Sequence, residues 1–571
     1  MSRNRLLAPA ALTALLLLGS CGTKPQLEPE GPYWVEADRE PIPEPEYREP
    51  NLAWISTRRT LFDQGQELLD MGRNFRKLSG NPRQAVNINS YDEVPNSSWF
   101  TNRHALQPMS PAEITTGRSL TPGPDTTAGW WVFRPKVGGA TPGFWIEDSR
   151  GDQYIIKFDP KGYPELATAA AAMGSRYFHV CGYNVPQETI VYWHPDSLRI
   201  REGATIKDSH GNKRPLTHDD LNAILAQVDK QPDGRIRSLA SLNLGKVKWP
   251  FMYLGQREDD PNDWYPHQNR RELRGLYVVA SLINHYDLKD HNSLDVYEGE
   301  AGEGFLRHYL LDFGSAFGSD GNGEKPPIKG YANVFDLRDV GVSLLTLGLK
   351  GWGWENAKPA TYRSVGYFES EIFEPQKFDC IIPNPAFENM TDRDAYWGAK
   401  LVMAWRDADL QALVEAGQYS DSAAAAYLLQ TLIERRDKIG RYWFGKVNPL
   451  DYFELRNSGD SLEILFDDLA VKYGLEFDNA RYRCRIRQDD ELLAPVREFT
   501  GQTLSLDGSF VKLMRSRFFE QVGATELEKQ LIEIELETKR NGRGWSKPTR
   551  LWLTWRGEPE QPELLGIEHL D

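Results

Sequence analysis

Between Trp130 and Trp193 apolar positions first cluster as they do in strands and then recur at helical spacing. Phe144-Trp145-Ile146 and Tyr154-Ile155-Ile156-Lys157-Phe158 have strand composition, and Asp148-Ser149-Arg150-Gly151 between them suits a hairpin turn. Pro164 fits a first helical position; Leu166, Ala170, Met173, Tyr177 and Val180 then repeat every three or four residues until Gly182 closes the helix. Thr189 to Trp193 reads as a further strand, Thr217 to Val228 as a capped helix, and Leu239 to Leu254 as strand-like. These elements predict a small β-rich lobe over 121–260.

The pattern then turns helical. Leu273, Tyr277, Ala280 and Ile283 mark an amphipathic helix over Arg270 to Asn284, and helices are predicted at Asp392 to Ala416 and Ser422 to Tyr442, giving a helical lobe over 261–447. Beyond Asn448 alternation returns. Tyr482, Cys484 and Ile486 alternate with Arg481, Arg483, Arg485 and Arg487, while Ile532, Ile534 and Leu536 alternate with Glu533, Glu535 and Glu537. This predicts a C-terminal β-rich, sandwich-like domain over 448–571. Facing opposite charges attract, so the Arg-faced and Glu-faced strands are expected in one sheet, with adjacency left open. Ahead of the lobes, 56–120 is an N-terminal extension with a short helix near Leu61 to Phe75. Its stretch Tyr91-Asp92-Glu93-Val94-Pro95-Asn96-Ser97-Ser98-Trp99-Phe100 is a polar turn ending in aromatics expected to pack on the body. The fold class is α+β.

Hydrophobic content of 40% with 17 Trp excludes wholesale disorder, and a net charge of −15 without a long basic run argues against a nucleic-acid partner. Arg3 and Arg5, the apolar run Leu6 to Leu18, and Leu18-Gly19-Ser20-Cys21 are the parts of a secretory signal over 1–20. Small residues directly before a cysteine resemble the lipobox of bacterial lipoproteins. The resemblance implies cleavage before Cys21, acylation of its thiol, and attachment in the cell envelope, at the outer membrane or the outer face of the cytoplasmic membrane. Gly22 rather than Asp after the cysteine resembles an outer-membrane sorting signal. The Pro/Glu-rich stretch that follows, 21–55, reads as a solvated tether. Cys181, Cys380 and Cys484 have no metal-ligand spacing; buried thiols and a single bridge are both open.

The strongest chemistry lies at His285-Tyr286-Asp287-Leu288-Lys289-Asp290-His291-Asn292, followed twenty residues after Asn292 by Asp312-Phe313-Gly314. The strand-like run Phe305 to Leu311 leads into the second motif. The pair resembles the protein-kinase superfamily, whose catalytic loop and metal motif have this order and spacing. The resemblance implies a two-lobed kinase-like fold. It implies Asp287 as base, Lys289 near the transferred phosphate, and Asn292 and Asp312 as ligands of Mg²⁺ or Mn²⁺ bridging the phosphates of ATP or a related nucleotide. Lys157 on a strand and Glu165 on the next helix fit the phosphate-contacting Lys and its fixing Glu. The turn from Lys136 to Gly143, with Gly138 and Gly139, could cover phosphates with backbone amides.

Departures point to an atypical branch. Tyr286 stands where the kinase triplet has Arg, no Ala-Pro-Glu follows, and only eight residues separate Lys157 from Glu165. The compact small lobe resembles the HipA and spore-coat CotH kinases. The implied function is transfer to a protein or small-molecule acceptor in the envelope. A pseudokinase or binding module, and nucleotidyl transfer, are the alternatives. The acidic stretch Arg257 to Asp263 reads as a solvated loop. His267, Arg270, Arg271 and Arg274 suit an anion site or a polar helix face equally.

Overall fold

The computed structural model describes residues 27–136, 142–207, 212–347, 349–458, 461–476, 479–521, 527–540, 542–557 and 561–571. Cys21, Gly138 and Gly139 lie outside these residues.

The small lobe is a six-stranded sheet in the order β4-β8-β3-β2-β1-β5. Its strands are β1 (Trp130–Pro135), β2 (Gly143–Glu147), β3 (Gln153–Lys157), β4 (Glu188–Trp193), β5 (Leu198–Ile200) and β8 (Ile236–Leu242). A ribbon of β6 (Thr205–Lys207) and β7 (Lys213–Pro215) is appended. Burial alternates along β2 and β3, so Phe144, Ile146, Tyr154 and Ile156 form one packed face with Trp130 and Trp193. The sheet ends at Leu242. The expected strand to Leu254 breaks there, and β9 (Val247–Trp249) instead joins β10 (Ser293–Glu298) and β11 (Phe305–Leu310), while Phe251 and Tyr253 enter the core of the large lobe.

One helix packs between the lobes. Ala-rich Leu166–Cys181 has high helix propensity, and it stops where Gly182 takes φ 116°, a left-handed C-cap. Nearly every one of its residues is buried, because its faces meet both the sheet and the large lobe. Numbering helices from the N-terminus, α1 is Leu52–Thr57, α2 Gln64–Leu69, α3 Met71–Leu78, α4 Pro111–Thr116, α5 this helix, and α6 His218–Leu225, capped by Thr217.

The large lobe contains α7 (Arg271–Leu282), α8 (Leu337–Leu345), α9 (Pro385–Glu388), α10 (Asp392–Met403), α11 (Asp407–Glu415) and α12 (Ser422–Trp443). The single helix expected over Asp392 to Ala416 is two, because the chain turns at Trp405 and Arg406 and the Asp409 carboxylate caps the second from within. One apolar core runs from α5 through α7, α10, α11 and α12 and takes in Val94, Trp99 and Phe100 from the extension.

In the C-terminal domain, β12 (Leu450–Asn457), β13 (Leu462–Asp468) and β17 (Thr503–Leu506) form one sheet. The second is ordered β15-β14-β18-β19-β20, from β14 (Arg481–Gln488), β15 (Glu491–Leu492), β18 (Ile532–Lys539), β19 (Thr549–Arg556) and β20 (Gln561–His569), with β16 (Arg497–Thr500) also on β14. Both sheets share a core with α14 (Gly508–Glu520); the short helices α13 (Leu469–Lys472) and α15 (Leu527–Gln530) complete the domain. The Arg-faced and Glu-faced strands are neighbours, in a register that sets Arg483 opposite Glu537, Arg485 opposite Glu535 and Arg487 opposite Glu533.

Three further sequence expectations are corrected. The described part of the Pro/Glu stretch is a strap on the body rather than a solvated tether: Val35 bridges to Asn96, Ile42 to Gly304, and Lys248 binds Glu44 at 2.5 Å. The acidic loop is folded inward, with Asp263 on His267 at 2.7 Å and Arg257 on Asp295 at 2.8 Å. Arg270, Arg271 and Arg274 are neither an anion site nor a polar face; they are buried among Glu272, Asp92 and Asp394.

Candidate active site

Lys157 ends β3 with its side chain in the cleft between the lobes. Its Nζ lies 3.2 Å from Asp312 Oδ1 and 4.0 Å from Glu188 Oε1. Burial disfavours the Lys157 charge, but the Asp312 and Glu188 carboxylates outweigh it, and its pKa is raised. Asp312 is lowered, first by the Lys157 charge, with burial opposing. Its backbone is left-handed, φ 60° and ψ 56°, which a non-glycine residue adopts at a cost. That turn follows the last residues of β11 and presents the carboxylate, half exposed, to the cleft.

The pairing of β10 with β11 assembles the rest. Ser293 is opposite Leu310, and Leu311 donates its N–H to the Asn292 carbonyl at 3.0 Å, so Asn292 and Asp312 sit at the same end of one hairpin. Asn292 Nδ2 donates to Asp287 O at 2.8 Å and to Asp287 Oδ2 at 2.9 Å, and Lys289 Nζ donates to Asp287 Oδ1 at 2.6 Å. With its nitrogen committed to Asp287, the Asn292 amide has its oxygen left as an acceptor, at the same hairpin end as the Asp312 carboxylate. Such a neutral and anionic oxygen pair suits Mg²⁺ or Mn²⁺, which keep water and phosphate oxygens as further ligands. Among the described residues no three His, Cys, Asp or Glu side chains form a metal cluster.

Behind these polar groups is an aromatic stack. Phe313 packs on Phe178 of α5 (centroids 5.1 Å apart), and His285 touches both rings at 5.6 Å. Burial pushes the His285 pKa down to about 4, keeping the ring neutral. Tyr286, in place of the kinase Arg, donates its hydroxyl to Asp320 in the loop after the Asp-Phe-Gly turn, and Lys329 reaches the same carboxylate at 2.6 and 2.7 Å. The loop of Tyr286 and Asp287 is thereby tied to the segment after the Asp-Phe-Gly turn.

Glu165 is the correction at the site. It does not approach Lys157: it precedes α5 with φ 70°, its N–H is bound by Asp159 Oδ2 at 3.0 Å, and its carboxylate accepts from Ser420 N at 3.0 and 3.2 Å. A residue in the entry turn of the helix is directed back onto the large lobe, whereas the carboxylate within reach of Lys157 comes from the strand after the helix. Glu188 is buried, and burial, against the lowering effect of Lys157, raises its pKa to about 7. The only sequence signal for it was a charged residue opening the otherwise apolar strand Glu188-Thr189-Ile190-Val191-Tyr192-Trp193.

The cleft is open to solvent and is lined by Lys136, Lys157, Ala171, Leu239, Asp312 and Ser315 among others. A small, mostly antiparallel lobe, a helical large lobe, and a Lys facing an Asp-Phe-Gly aspartate across the gap define a protein-kinase-like fold, here with an added C-terminal β-rich domain. No family model matches the chain, and no curated protein matches it. Among solved structures it is similar to the Helicobacter pylori proinflammatory kinase CtkA, at 10% identity over 55% of this chain and 94% of that one, with a TM-score of 0.29. It is also similar to a Golgi casein kinase with Mn/ADP bound, at 10% identity over 67% of this chain and 88% of that one, with a TM-score of 0.27.

Proposed function

We propose that the protein transfers a phosphoryl group from ATP or a related nucleotide to an acceptor hydroxyl, on a protein or small molecule of the cell envelope, while anchored through a lipid on Cys21. The observation that carries this reading is the contact of Lys157 with Asp312 across the cleft, at the end of the hairpin that also carries Asn292, which in turn binds Asp287 within its own loop. Lys157, positioned by Glu188, would contact the nucleotide phosphates. Asn292 and Asp312 would hold the divalent cation, which when bound neutralises charge on the transferring group. Asp287, oriented by Asn292 and Lys289, would orient the acceptor hydroxyl and take its proton as the oxygen–phosphorus bond forms.

Calorimetric titration of nucleotide with Mg²⁺ or Mn²⁺ onto the purified protein tests it. Binding is expected for the wild type and about tenfold or more weaker for Asp312→Ala, which removes the charged ligand. Asp287→Asn should bind normally yet transfer at least about a hundredfold more slowly. A wild type that binds no nucleotide would sink the reading, and binding without transfer to itself or to envelope extracts would leave a pseudokinase. Anchoring is tested separately by Cys21→Ser, which should release the protein from membranes.

A further inference from the structure

Fifteen of the twenty-seven large apolar side chains exposed among the described residues fall in two short segments. One comprises Trp54, Leu61, Phe62, Leu68, Leu69, Met71, Phe75 and Leu78; the other runs from Ile328 to Leu349. On α3, Met71, Phe75 and Leu78 stand at i, i+4 and i+7, so they form one stripe, and it faces solvent with no residue of the helix buried. Beside α8, Leu344, Leu345, Leu347 and Leu349 are each more than two-thirds exposed. The two segments meet: Gln64 Nε2 donates to Phe335 O at 2.7 Å and Gln64 Oε1 accepts from Leu337 N at 3.0 Å.

On the reading proposed above the loop of Asp287 marks the acceptor end of the cleft, and this face adjoins that loop. Arg59, between α1 and α2, binds Asp290 of the catalytic loop at 3.2 Å, and Ser56 Oγ lies 3.4 Å from His291 Nε2. Its charge differs from that of the molecule. Residues 52–83 hold six Arg and Lys against three Asp and Glu, in a chain of net charge −15, and the exposed Arg76 flanks the apolar stripe. An apolar stripe bordered by basic residues is the composition that lies in the headgroup layer of an anionic membrane.

Resting on the envelope placement proposed above, we propose that this face, α3 with the α8 segment, seats on an anionic lipid bilayer and so holds the acceptor end of the cleft at the membrane surface. Cys21 precedes Leu27 by six residues, at most about 20 Å of chain, so a lipid there would keep the body within reach of the bilayer without choosing which face turns toward it. The stripe and its basic border make that choice.

The test places an environment-sensitive fluorophore on Phe75→Cys or Leu345→Cys in the full lipidated chain bound to vesicles. Leu120→Cys and Leu513→Cys, exposed apolar positions outside this face, serve as controls, and the native Cys181, Cys380 and Cys484 are buried and free. In vesicles containing phosphatidylglycerol, spin-labelled lipids should quench the fluorophore at 75 and 345 by about twofold or more, with little effect at 120 and 513 and less quenching after Arg76→Glu. Equal quenching at all four sites, or none at 75 and 345, overturns the proposal. So does a blue shift at 75 and 345 that grows with protein concentration without vesicles, which assigns the face to a second copy. The measurement needs no nucleotide, so failure of phosphotransfer leaves it unchanged. A missing anchor shows instead as lost flotation with zwitterionic vesicles.

Discussion

At the scale of single residues, Lys157 lies between two carboxylates of opposite character. Asp312, half exposed and in contact with the Lys157 charge, has a lowered pKa, whereas buried Glu188 is pushed up to about 7 from an ordinary 4.5. Between those two values the folded chain holds a proton that the unfolded chain has released, so the Glu188 contribution to stability falls as pH rises through that window. Glu188→Gln removes the group. Its stability is therefore expected to rise relative to the wild type from about pH 4.5 to about pH 7, by a total on the order of 3 kcal/mol, seen as a rising melting temperature. Parallel wild-type and variant profiles over that range, followed by scanning calorimetry, would show that Glu188 does not titrate there. At pH 8, where Glu188 is ionised, the same variant should also bind nucleotide more weakly, because Lys157 loses one of its two positioning charges.

At the scale of elements, α5 sets the position of the Asp-Phe-Gly turn by close approach. A Cβ on Gly174 would meet Phe313 Cβ at 2.5 Å, so the helix and the turn touch where only hydrogen fits. Gly174→Ala is expected to cost about 1–3 kcal/mol by overpacking and, since Phe313 adjoins Asp312, to weaken nucleotide binding beyond any loss of folded protein. Denaturant unfolding gives the first quantity and titration on the folded fraction the second; unchanged affinity would separate the turn from the helix. The C-terminal sheet shows pairing legible from pattern. Arg483 binds Glu537 at 2.6 Å and Arg487 reaches Glu535 at 3.3 Å, because a period of two keeps all arginines on one face and all glutamates on the same face of the next strand.

At the scale of the whole molecule, one buried carboxylate joins three regions. Asp92, from the extension, binds Arg271 of α7 at 2.5 Å, Arg393 of α10 at 3.0 Å and His569 of β20 at 2.9 Å. Burial alone would raise its pKa, but Arg271, Arg393 and His569 together hold it well below the usual carboxylate range. Its contribution to stability is therefore complete above about pH 4, its unfolded value, and is lost as pH falls through the lower folded value. Asp92→Asn should destabilise by about 3–5 kcal/mol at neutral pH, since it leaves buried guanidiniums short of a counter-charge. The gap to wild type should close on acidification below pH ~4. Urea unfolding across pH measures it, and a constant gap would refute the assignment.

Local chemistry determined what the sequence could specify alone. The spacing from Asp287 to Asn292 and on to Asp312, the strand bearing Lys157, the helix ending at Gly182 and the alternating charged strands depend on neighbours a few residues apart, and the structure has each of them. Pairings made through space belong to the tertiary structure. The partner of Lys157 is Glu188 rather than Glu165, because the sheet order β4-β8-β3 brings the start of β4 under the cleft while the entry turn of α5 directs Glu165 to Ser420. The arginines of α7 read as a polar face because charge implies solvent, yet Asp92 and Asp394, far away in sequence, allow them to be buried. The Pro/Glu strap read as solvated for the same reason: its partners are distant in sequence, Asn96 by 61 residues and Lys248 and Gly304 by more than 200, and only folding brings them to it.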